Sequence, residues 1–124
     1  MSNPILQKNF LAGAAIPPFR IFKFSAAETC VVAAAATDLS IGISNEVGPA
    51  SGERFDGILS GIAYLEAGAA FSLGAEITSD GVGRGISASP AAGSNVRIIA
   101  IAMEAATALG DVVKVFISQS VKQG

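Results

Sequence analysis

The chain has 124 residues, enough for one domain with a modest core. It is 51% hydrophobic and only 15% charged, so apolar surface is expected to be left over for other chains to cover. A net charge of −2 without a basic cluster argues against nucleic-acid binding, and the lack of any histidine removes the commonest general base and metal ligand.

Met1 to Pro18 shows neither strand alternation nor a helix cap, and Pro4, Gly13, Pro17 and Pro18 interrupt it. The expectation is an extended N-terminal arm over residues 1–18 that is disordered alone or laid on a neighbour. The apolar run Phe10 to Ile16 after Lys8 imitates a signal peptide, but Pro17-Pro18 closes it where cleavage would begin, so it is expected to stay on the chain. Charges or prolines also interrupt every candidate membrane span, which needs about 20 apolar residues.

Phe19 to Phe24 holds three of the seven phenylalanines, with basic residues mixed into both faces. That mixture predicts an edge or interface strand. Ile5, Leu6, Phe10, Leu11, Pro17, Pro18, Phe19 and Phe22 are therefore the candidate partner contacts. Cys30, the single cysteine, has no intrachain partner and is expected to pack as a small hydrophobe.

Strands are predicted over residues 28–36, 38–44, 53–61, 75–79, 85–88, 96–103 and 112–117, with 62–66 continuing the third or starting another. In the third, Phe55 and Leu59 face one way and Arg54, Asp56 and Ser60 the other. Asp80-Gly81 suggests a type I′ hairpin. Residues 104–109 can form at most a turn or two of helix, and residues 119–124 a short polar tail. The fold expected is all-β, a small antiparallel sandwich or barrel over residues 19–118.

Two segments match without a gap. Ile41 to Glu46 corresponds to Ile99 to Glu104, Gly52-Glu53 to Gly110-Asp111, and Phe55, Ile58 and Leu59 to Val113, Phe116 and Ile117, always at a separation of 58 (99 − 41). A strand, small-residue loop, Gly-acid turn and strand repeated this way suggests internal pseudo-symmetry.

No catalytic, cofactor-binding or metal-binding set emerges. The lone cysteine has no histidine to activate it, and the ten acids fall mostly at turns or on exposed faces. Gly81-Val82-Gly83-Arg84-Gly85 lacks the spacing and the lysine of a phosphate-binding loop. Tyr64, the one tyrosine, is not in the aspartate-bearing strand that small trimeric dUTP pyrophosphatases require.

The run G-I-L-S-G-I-A-Y-L-E-A-G-A-A-F-S-L-G-A-E-I-T-S-D-G-V-G-R-G, from Gly57 to Gly85, resembles the central pattern of tailed-phage capsid cement, or head decoration, proteins. I-A-I-A-M-E-A-A-T-A-L-G-D-V-V-K-V-F-I, from Ile99 to Ile117, resembles the C-terminal signature of the same family. The likeness spans Ile41 to Ile117, and Met1 to Phe24 departs from it. It implies a structural virion protein, made in the host cytoplasm, that binds the major capsid protein on the outer capsid surface and cements the head lattice. A homo-oligomer is implied, a trimer before a dimer, with no cofactor, small-molecule substrate, nucleic acid or membrane. The arm would be the clamp, adding a strand to a neighbour's sheet. The alternatives are a receptor- or glycan-binding module of a phage fibre, disfavoured by the lack of tryptophan, and a small oligomeric all-β enzyme.

Overall fold

The computed structural model describes residues 3–124, so Met1 and Ser2, the start of the expected arm, lie outside the described residues. Nine strands follow in order: β1 (Asn3–Ala12), β2 (Ile21–Ala26), β3 (Thr29–Val32), β4 (Ser40–Ser44), β5 (Arg54–Glu66), β6 (Glu76–Ser79), β7 (Gly85–Ser87), β8 (Asn95–Ala102) and β9 (Val112–Gln123). No helix occurs among the described residues, and residues 104–109 hold an isolated bridge from Ala106 to Phe71 rather than a helical turn.

The first five strands close on themselves. β1 pairs parallel with β3, β3 with β2, β2 with β4, β4 with β5, and β5 returns antiparallel to β1. The closing β1–β3 contact is short, made at Leu11 and Ala12 only. The second half of β5 starts another ring, running through β9, β8, β6 and β7. A parallel bridge between Ala67 and Gly85 closes it.

The two rings are copies of one plan. In the first, Ala12 N donates to Glu53 O and Ala12 O accepts from Gly52 N, both at 2.8 Å. In the second, Ala67 N donates to Asp111 O at 2.7 Å and Ala67 O accepts from Gly110 N at 2.8 Å. The acid side chains also match: Glu53 accepts from Ala50 N at 2.7 Å and Asp111 from Ala108 N at 3.2 Å. Gly52 and Gly110 both have positive φ, 86° and 94°, which is why glycine precedes the acid in each turn. The parallel contacts agree as well, with Ala12 opposite Cys30 and Ala67 opposite Gly85. Phe10 to Ile16 thus corresponds to Leu65 to Phe71 at a separation of 55 (67 − 12), a match the gapless comparison at 58 misses.

The inner faces make two cores. Phe10, Ala12, Ile16, Phe22, Cys30 and Phe55 fill the first ring. A larger cluster holds the inner residues of the second ring, Leu65, Phe71, Ile77 and Val115 among them. It also takes in Ile21, Ala33, Ile43 and Ile58, which point outward from the first ring and pack on the second. Each large apolar side chain so buried contributes about 1.5–3 kcal/mol.

Several expectations are corrected by this closure. The arm is not irregular as far as Ala12: β1 is built into the chain's own sheet, and two register shifts, at Pro4/Leu6 and Leu6/Gln7, hide its alternation. Residues 119–124 are largely strand, since β9 stays paired to β8 out to Gln123 opposite Asn95. The strand after Phe19 is no edge, because β2 has β3 on one side and β4 on the other. The β6–β7 connection is a longer loop in which Asp80 accepts from Val82 N and Arg84 N, each at 2.9 Å, and positive φ falls at Gly83 rather than Gly81.

Candidate functional site

The eight candidate contacts separate by burial. Phe10 and Phe22 are 2% and 0% exposed, so they are corrected from partner contacts to members of the chain's own core. Leu11, Pro17, Pro18 and Phe19 are half-buried. Their loop folds back on the molecule: Pro17 O accepts from Ser44 Oγ at 2.9 Å, and the Phe19 ring meets Tyr64 edge-on at 6.2 Å. Ile5 and Leu6, 78% and 52% exposed, remain free to meet another chain.

Beside them is an open groove of about 770 Å³ at one end of the first ring, lined by Leu6, Lys8, Phe10, Phe24, Ile41 and Leu59. Its rim carries a Lys8–Glu28 ion pair at 2.6 Å, and Lys8 Nζ sits 5.0 Å above the Phe10 ring. Phe24, Ile41 and Leu59 were not recognisable as surface-lining from sequence, since each reads as an ordinary strand residue. Phe116 is also 44% exposed in the middle of a strand.

The charged groups hold the frame together. Glu66 takes Arg84 Nε at 2.5 Å and Arg20 Nη2 at 3.2 Å, and Arg20 Nη1 donates to Val82 O at 2.9 Å. One carboxylate held between two guanidiniums ties the rings together. Asp38 accepts from Lys23 Nζ and from Ala34 N, each at 2.8 Å, and these bonds, the lysine's first, hold its carboxyl below the usual range. Asp111 is held low by Thr107, through its backbone N–H at 2.9 Å and then its hydroxyl at 2.8 Å. Glu104 accepts from Lys114 N at 2.7 Å. Among the described residues no three acids or cysteines gather as a metal site would need.

Cys30 lies in the first core, where burial first, and Glu28 second, push its thiol up to about 11. A thiol so raised is almost wholly protonated at pH 8 and poorly nucleophilic. Ellman's reagent is expected to label native protein at least about 100-fold more slowly than urea-unfolded protein, by the thiolate fraction and access together. Labelling at equal rates would show the first ring to be open in solution.

The comparisons agree with this architecture. A family model described as "Phage cement protein" matches residues 6–117. No curated protein matches the chain. Among solved structures, the fold is similar to the head fibre gp8.5 N base of bacteriophage phi29, at a TM-score of 0.69 and 16% sequence identity, covering 91% of this chain and 93% of that one.

Proposed function

The chain belongs to the phage cement protein family, and from that premise we propose that it sits on the outer face of the head, bound to the major capsid protein. Its role is structural, as a virion component that stabilises the capsid. The reading is non-enzymatic, and a homo-oligomer, a trimer before a dimer, is the form proposed to act.

The observation that carries the reading is the family match over residues 6–117, joined to large apolar side chains left exposed on several elements. Ile5, Leu39, Leu73 and Leu109 are each more than 60% exposed, and they lie on separate strands and loops. Spread contacts of this kind are individually weak but add when repeated over a lattice. A detached arm is not the proposed route, since β1 is paired with β5 from Asn3 to Leu11 and with β3 at Leu11 and Ala12. Side-chain contact from Ile5 and Leu6 replaces it.

The test is co-sedimentation with heads assembled without this protein, followed by calorimetric melting of those heads. Saturating protein is expected to co-sediment and to raise the capsid melting temperature, because a ligand of the assembled state stabilises it by mass action. Ile5→Glu is expected to weaken binding at least about tenfold, since it would bury a charge in an apolar contact. Protein that stays in the supernatant at micromolar concentration, or that binds without moving the melt, overturns the proposal.

A further inference from the structure

The two rings have the same plan but not the same neighbours. On the first ring a row runs Ile21, Ile43, Ile58 and Gln7 across β2, β4, β5 and β1. Its three isoleucines are 0%, 0% and 2% exposed because they press outward onto the second ring. The row in the same place on the second ring is Glu76, Ile101, Phe116 and Ile62. Here Phe116 is 44% exposed and Ile101 and Ile62 are half-buried. A surface that works as a plug in the first ring is unused in the second.

The socket shows the reverse. The first ring's plug lies in one cluster with Ala63, Ile99 and Ile117 of the second ring, which are 0%, 0% and 5% exposed. Under the internal repeat those positions become Lys8, Ile41 and Leu59, all of which line the open groove. A chain of two units makes one plug-and-socket contact and leaves one plug and one socket free.

We propose that the groove receives a second copy of this chain, with the Phe116–Ile101 row of one protomer seated against Phe24, Ile41 and Leu59 of the next. The contact repeats between chains the packing already made within one. The rims suit it: Lys8 and Glu28 flank the socket, while Glu76, paired to Lys122 at 2.9 Å, flanks the plug, so each side brings both signs of charge. The interface is head-to-tail, which closes into a ring if the rotation per protomer allows. It deepens the homo-oligomer part of the proposed function and fails separately from capsid binding.

Light scattering after size exclusion tests it on the full chain. The wild-type protein is expected to exceed its 12.4 kDa chain mass at micromolar concentration. Phe116→Glu and Phe24→Glu should each reduce it to that mass with unchanged circular dichroism, both sites being half-exposed. Mixing the two variants should restore a two-chain species, because each retains the half that the other lost. If either glutamate variant misfolds, Phe116→Ser and Phe24→Ser replace the pair. A monomeric wild type, a variant that keeps the wild-type mass, or a mixture that stays monomeric overturns the proposal. Co-sedimentation with heads is read in parallel: a monomer that binds them removes this interface alone, and an oligomer that does not removes the capsid reading alone.

Discussion

Phe22→Ala is expected to destabilise the protein by about 3–5 kcal/mol, the range for truncating a fully buried aromatic ring. Phe22 has no exposed surface and is packed among the rings of the first core, with ring centroids 5.6 Å from Phe10 and 5.3 Å from Phe55. Its ring lies over Gly57, where an added Cβ would collide with it. The core was therefore shaped around this ring, and little can move in to fill the space it leaves. Single domains are stable by only about 5–15 kcal/mol, so the variant should lie close to unfolding at room temperature. Phe24→Ala, two residues along the same strand but 50% exposed, should cost under about 1.5 kcal/mol. Urea denaturation of both checks the contrast. Equal midpoints would mean that the first ring lacks the core described.

The same two residues mark how far sequence reasoning reaches. Phe22 and Phe24 share a face of an isolated strand, and only closure of the ring buries one and leaves the other at the groove. The strands from β2 onward were legible from their runs of β-branched and aromatic residues, and glycine-acid turns announce the starts of β5 and β9. The 58-residue repeat was visible because the β4–β5 and β8–β9 connections are equal in length. The first half of the repeat was hidden by three residues (58 − 55), the difference between the β1-to-β4 and β5-to-β8 connections. β1 was hidden by its own bulges, which break the alternation that would have announced it. The free plug had no local signal at all. Ile58 and Phe116 are equivalent apolar residues, and what separates them is that a further ring follows the first and none follows the second among the described residues.

Removal of residues 1–12 is expected to abolish cooperative folding rather than to detach a clamp. β1 pairs with β5 from Asn3 to Leu11 and with β3 at Leu11 and Ala12, so its loss opens the first ring and leaves two strand edges unpaired. It also takes Phe10 and Ala12 out of the core, and the large-to-small cost of Phe10 alone is about 3–5 kcal/mol. The truncated chain should show no sigmoidal thermal transition, and Cys30 should react with Ellman's reagent as in unfolded protein. Loss of capsid binding in such a truncation would therefore say nothing about contact. Ile5→Glu supplies the missing comparison, because Ile5 is 78% exposed and its substitution should leave the melt within a few degrees while binding falls. A truncated chain that still melts cooperatively with Cys30 protected would show β1 to be an appendage, and would return the first twelve residues to the role of a detachable arm.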